Sequence, residues 1–431
     1  MSHVSWTGAH APWARRSGRR GEEHVIVRRV TSKPRNHVED LRGASRLAIE
    51  ATCAVTDLVE AMHHTIASGP DALGRPLERV SGPITGLIYG SIRGVTRLVG
   101  ASIDRALAQL APLAETAPAQ EAEPVLAVVN GVLGDYLSET GNPLAIPTQL
   151  RQNGRALVLE PQALRAALPD ASGRLLVLVH GSCMSDRGWL RLGHDHGAAL
   201  ARDLGYTPIY AFYNSGQHIS ANGRELAAVL EQLAAAWPVP LDEIAVVGHS
   251  MGGLVARSAC HAAEVAGLAW RSKLHDLVCL GSPHHGAPLE RGGSWLHFLL
   301  GVSRYSAPFA RMAKIRSAGI TDMRYGNVLD EHWHGRDRFA LGRDPRDKLD
   351  LPEGVECYAI AATTAATPGR KLPGDGLVPV DSALGRHVQP ELTLRFPDDH
   401  QSIAFGMGHL ELLSNPQVYA TMLRWLSRAR S

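Results

Sequence analysis

The sequence predicts an α/β protein: a doubly wound, mostly parallel sheet with an inserted cap, preceded by an N-terminal helical region. Two observations carry this. From Arg174 onward, short apolar runs alternate with amphipathic stretches (Leu175–Val179, Pro208–Phe212, Glu243–Val247, Leu277–Leu280, Val355–Ala361 and Leu392–Phe396 against Gly197–Leu204, Glu225–Trp237, Gly253–Ala266 and Val418–Arg428). The runs are apolar almost throughout rather than at every second residue, as strands covered on both faces are. A third observation places the cap: Ser282–Pro352 is too long for an ordinary connection and holds amphipathic material at Trp295–Leu300 and Phe309–Ile315. The resulting domain runs over residues 170–431, with the cap at about 282–352.

Upstream the pattern differs. Residues 1–35 hold eight Lys/Arg against Glu22 and Glu23 and read as a flexible basic tail, solvated or in contact with an anionic surface. Residues 36–150 read as helical. Val38–Ala67 repeats apolar residues at three and four spacing and ends at Gly69-Pro70. In Gly82–Gly100, glycines 82, 86, 90 and 94 fall nearly on one helical face. That face suits close packing against another helix or shallow contact with a membrane surface; Arg93 and Arg97 leave too short an uncharged run to span one. A helix over Ala101–Leu113, a linker over Ala114–Pro124 and a short helix over Val125–Leu137 follow.

Composition excludes several classes. The 431 residues are 45% apolar and 20% charged, the balance of a chain with a sizeable core. The net charge of +2 argues against nucleic acid as a partner. Five scattered cysteines suit neither a disulfide framework nor a zinc site, and the arginine-rich N-terminus lacks the apolar run of a signal peptide. The chain therefore reads as cytoplasmic, with peripheral membrane contact through its N-terminal region as the open alternative. The histidine pairs (His63-His64, His194/His196, His284-His285, His332/His334) complete no ligand set, so no metal and no cofactor is expected.

Chemistry concentrates at Gly248-His249-Ser250-Met251-Gly252-Gly253, between the strand Glu243–Val247 and an amphipathic helix. G-x-S-x-G in that context is a nucleophile elbow: the glycines stand where a Cβ would collide, and the serine oxygen is lifted to the sheet edge at a helix N-terminus. Serine needs a base and an orienting acid, which in this topology follow in the order acid, then histidine. Among Asp330, Asp375, Asp381, Asp398 and Asp399, Asp375 stands out in a glycine-flanked loop after Val355–Ala361, although Asp-Gly also signals a simple turn. His409, in a glycine-rich loop before a Ser414-Asn415-Pro416 cap, is the favoured base, with His400 the alternative. The oxyanion donors expected are the amides of Met251 and of Ser182, with Cys183 next.

The segments Leu176–Ser182 (LVLVHGS), Val247–Arg257 (VGHSMGGLVAR), Leu280–Pro288 (LGSPHHGAP), Asp375–Gly385 (DGLVPVDSALG) and His409–Tyr419 (HLELLSNPQVY) together resemble the α/β-hydrolase superfamily. Within it they resemble bacterial lipases and esterases and the GPI inositol-deacylase-like group. The resemblance covers residues 170–431 and implies a carboxyl-ester hydrolase with Ser250, Asp375 and His409 as triad. Some lipases of this kind hold a structural calcium near the histidine loop; Asp398 and Asp399 are the residues available, without an evident ligand set. The expected substrate is a small-molecule ester or lipid. Thioesterase, amidase or acyltransferase chemistry, or a membrane-associated scaffold with a vestigial pocket, are the rival readings.

Overall fold

The computed structural model describes residues 123–287, 317–336, 346–369 and 372–428. The basic tail, the Gly82–Gly100 segment and the apolar cap residues Trp295–Leu300 and Phe309–Ile315 lie outside these.

The described residues build one eight-stranded sheet. In chain order the strands are β1 (Gln149–Gln152), β2 (Arg155–Ala156), β3 (Arg174–Val179), β4 (Thr207–Phe212), β5 (Glu243–His249), β6 (Leu274–Leu280), β7 (Glu356–Thr363) and β8 (Gln401–Phe405). Their spatial order is β2-β1-β4-β3-β5-β6-β7-β8. β3 to β8 are parallel, while β1 runs antiparallel to both β2 and β4.

The uninterrupted apolar runs have the expected cause. Leu175, Val177 and Val179 of β3 point into one core, and Leu176 and Leu178 into the other. Cys357, Ala359 and Ala361 of β7 likewise oppose Tyr358, Ile360 and Ala362. Each face therefore needs its own layer of helices. The first is covered by α1 (Glu123–Glu139), α4 (Ile219–Ala235) and α5 (Met251–Ala266), the second by α3 (His196–Leu204) and α8 (Pro416–Leu426). Short helices α2 (Pro161–Ala167), α6 (Ala318–Asp322) and α7 (Val380–Ala383) complete the set. Fully burying one such Leu or Val contributes about 1.5–3 kcal/mol, so each strand stabilises both layers at once.

Helix ends follow local chemistry. Asp195 accepts from the Ala198 amide at the start of α3 and Gly205 closes it at φ 71°. Asn415 accepts from Gln417 N ahead of Pro416 in α8, as its sequence predicts.

Two expectations need correction. Leu392–Phe396 is not a strand. It runs between Pro390 and Pro397 with Leu392, Leu394 and Phe396 buried, so the alternation reflects side chains packed onto the fold without ladder bonds. The last strand is instead β8, whose half-exposed residues at the sheet edge mute its apolar signal. Nor does the domain begin at residue 170. Val128, Val129, Val132, Leu133 and Leu137 of α1 lie in the same core as β3, β5 and β6, and β1 pairs with β4. β1 and β2 are joined by Asn153 (φ 51°) and Gly154 (φ 72°), the two-residue turn that Asn-Gly favours.

Candidate active site

Ser250 stands between β5 and α5 with φ 54° and ψ −124°, a left-handed backbone unusual for a residue with a side chain. Close packing imposes it. A Cβ on Gly248 would come within 2.5 Å of Gly253 N, and one on Gly252 within 2.1 Å of the Val179 carbonyl oxygen. The Ser250 amide donates to Leu280 O at 2.8 Å, tying the turn to the end of β6. The hydroxyl is thus held over the C-terminal rim of the parallel strands, at the N-terminus of α5.

Asp375 and His409 come together at the same rim. His409 Nδ1 lies 2.7 Å from Asp375 Oδ2, and both side chains are buried. The other carboxylate oxygen, Oδ1, accepts from the amides of Leu377 at 3.0 Å and Val378 at 2.8 Å. The His409 amide donates to Asp375 O at 3.1 Å, so backbone as well as side chain fixes the pair. A Cβ on Gly374 would meet Val378 O at 1.9 Å, which is why the loop is glycine-flanked. Gly281, next to the carbonyl that receives the Ser250 amide, would place a Cβ 3.2 Å from His409 Cε1. The imidazole thus overhangs the strand end that anchors the serine. No hydrogen bond between Ser250 Oγ and His409 is present among the described residues; such contacts are commonly long in free enzymes and tighten with substrate.

His400 is placed elsewhere. Its Nδ1 lies 3.2 Å from Cys357 O, at the start of β7, and its ring packs 4.2 Å from that of Tyr358. It therefore sits at the N-terminal end of the parallel strands, opposite the rim that holds Ser250. Asp399 lies there too, paired with Arg428 at 3.1 Å.

The turn after β3 closes over the elbow. A Cβ on Gly181 would lie 3.1 Å from Ser250 Cβ. Cys183, at φ 60°, donates its amide to Ser215 Oγ at 2.9 Å, so that amide is engaged. The amides of Ser182 and Met251 have no acceptor among the hydrogen bonds of the described residues. Beneath the turn His180 stacks on Tyr213 at 4.3 Å, and Tyr213 Oη donates to His180 O at 2.7 Å. Burial pushes the His180 imidazole down to about 4, so it braces the turn as a neutral ring. His249 is also buried and held well below the usual histidine range; its Nε2 lies 3.2 Å from His409 O.

Sequence reasoning missed a second histidine–carboxylate pair. His218, just ahead of α4, lies 2.9 Å from Asp322 Oδ2 and stacks on Trp333 at 3.6 Å. α6, which carries Asp322, rests on this side of the rim: a Cβ on Gly319 would lie 2.2 Å from Ser215 O and 3.2 Å from Met251 Cε. It belongs to the described part of the expected cap. The only signal was a lone histidine after β4, with its acid about a hundred residues away. Among the described residues no group of three or more His, Cys, Asp or Glu is arranged to hold a metal, and no helix is long and apolar enough to cross a membrane.

Residues 170–341 match the model of the PGAP1-like alpha/beta domain family. No curated protein matches the chain. Among solved structures, Bacillus licheniformis lipase BlEst2 in its mature form is 16% identical, with 59% of this chain and 91% of that chain covered at a TM-score of 0.38. The Pyrococcus furiosus esterase Pf2001 is 16% identical over 61% of this chain and 85% of that chain, with a TM-score of 0.35. Aspergillus fumigatus lipase B is 14% identical over 64% and 60%, with a TM-score of 0.38.

Proposed function

We propose that this chain, which has the α/β-hydrolase fold and resembles the PGAP1-like alpha/beta domain family over residues 170–341, is a serine carboxyl-ester hydrolase. The observation that carries the reading is the His409–Asp375 pair, 2.7 Å across, buried at the rim where Ser250 is held in a left-handed turn. In this reading His409 Nε2 takes the Ser250 proton as Oγ attacks the ester carbonyl. Asp375, anchored by two amides, holds the imidazole with Nδ1–H toward it and stabilises the imidazolium that forms. The amides of Met251 and Ser182 receive the oxyanion; a preorganised donor of this kind is worth about 2.7–4 kcal/mol in the transition state. His409 then protonates the leaving alcohol, and water releases the acid from the acyl-enzyme by the same steps. The apolar residues Trp295, Leu296, Phe298, Leu299 and Leu300 of the inserted segment favour a hydrophobic acyl group or a lipid ester as substrate.

A fluorophosphonate probe tests the nucleophile: the wild-type chain is expected to label and Ser250→Ala not to. Labelling that survives the substitution would end the reading. In parallel, p-nitrophenyl esters from acetate to dodecanoate, with a thioester and an anilide alongside, are expected to show rates rising with acyl length and highest for esters. A preference for acetate would remove the lipid part of the proposal.

A further inference from the structure

Arg257 lies at the end of the second turn of α5 and is only 3% exposed. Its Nη2 donates to the Leu349 carbonyl, its Nη1 faces His284 Nδ1 at 3.4 Å, and its Nε has no acceptor. Among the described residues no carboxylate pairs with it. The thiols around it supply no negative charge, since burial pushes Cys260 and Cys279 up to about 12. Burial lowers the guanidinium itself to about 10, so it still carries its charge at neutral pH. An unpaired buried charge is among the most costly features a fold can contain.

His284 is just as informative. Facing the donors of Arg257, its Nδ1 must be the bare, accepting nitrogen, which leaves the proton on Nε2. That Nε2–H is buried and also lacks an acceptor. Burial and the neighbouring Arg257 guanidinium hold the ring well below the usual histidine range, hence neutral. Arg346 closes the group, donating to Gly326 O at 2.6 Å. Arg257, His284, Arg346 and Lys348 all line one small cavity of about 20 Å³. That is room for one water-sized particle. Asp347 borders it as well but is exposed and makes no ion pair with Arg257.

We propose that this cavity binds a single halide-sized anion, which supplies the counter-charge that Arg257 lacks among the described residues and accepts from Arg257 Nε and His284 Nε2. Water could accept from both donors but would leave the charge uncompensated, and a volume of about 20 Å³ favours a monatomic anion over phosphate or sulfate. The site also bears on the rim. His284 ends the short segment that begins at Gly281, the residue packed against His409. An occupied cavity pins that segment from below.

The test is a comparison of salts at constant ionic strength on the full chain. Replacing sodium gluconate by sodium bromide is expected to raise the melting temperature by about 5 °C, saturably, as a ligand at about a hundred times its Kd would. Asp347→Asn should keep that response, and His284→Leu should lose most of it. Crystals soaked in bromide should give an anomalous peak between Arg257 and His284, a readout that does not depend on a variant folding. Equal melting in both salts with no anomalous peak would overturn the proposal. So would a wild type indifferent to halide whose Asp347→Asn variant becomes halide-dependent, because that carboxylate would then be the counter-charge.

Discussion

Two histidine–carboxylate pairs stand on the same rim and look alike at first distance: His409–Asp375 at 2.7 Å and His218–Asp322 at 2.9 Å. Their surroundings separate them. Asp375 receives two amides from its own loop, and its imidazole overhangs the end of β6 where Ser250 is tied down. Asp322 instead receives the amide of Ile219 at 2.9 Å and Asn327 Nδ2 at 3.1 Å, joining α4 to the inserted segment. The His218 ring is covered by Trp333, and the neighbouring Ser220 hydroxyl is bonded to Asp330 at 2.5 Å rather than offered to substrate. A histidine with a carboxylate behind it is a common bracing device; a strained serine beside it makes it a candidate base.

Paired substitutions break or sharpen this contrast. The largest difference is expected between His409→Ala, which should lower kcat for ester hydrolysis roughly 10⁴–10⁶-fold, and His218→Ala, which should leave it within about tenfold. Comparable losses in both would merge the two roles. Next come the acids. Asp375→Asn should lower kcat by about 10⁴ by favouring the wrong imidazole tautomer, with the fold intact by circular dichroism. Asp322→Asn should act on stability instead, by about 1–3 kcal/mol in urea unfolding, because a buried charged acceptor with three donors is replaced. The smallest effect on activity is expected at His400→Ala: unchanged kcat, with a stability loss of about 1–3 kcal/mol, since its buried ring packs on Tyr358 and bonds Cys357 O.

Legibility in the sequence followed range. The elbow was readable because strand, turn and helix are contiguous and each glycine has a local steric reason. Asp375 was readable from glycines that serve its own loop. His409 was favoured over His400 on loop composition alone, and β8 is what separates them, putting one at each end of the parallel strands. The pair His218–Asp322 was not readable, because nothing near either residue refers to the other. β1 and β2 were missed despite an Asn-Gly turn, since a strand of four residues at an antiparallel edge has too little apolar content to register. Leu392–Phe396 misled for the opposite reason: its alternation is real, but among the described residues no strand pairs with it, and only Leu394 N reaches across, to Gly385 O.

α1 has a consequence for anyone seeking a smaller version of this molecule. Its Gly131 leaves no space for a Cβ, which would lie 2.2 Å from Cys183 Sγ, and its Gly134 presses equally on Asn214. The helix is thus the floor beneath the very turn whose Ser182 amide, in the proposed reaction, would hold a negatively charged oxygen. A version trimmed to residues 170–431 would retain every side chain of the proposed reaction and discard the slab they stand on.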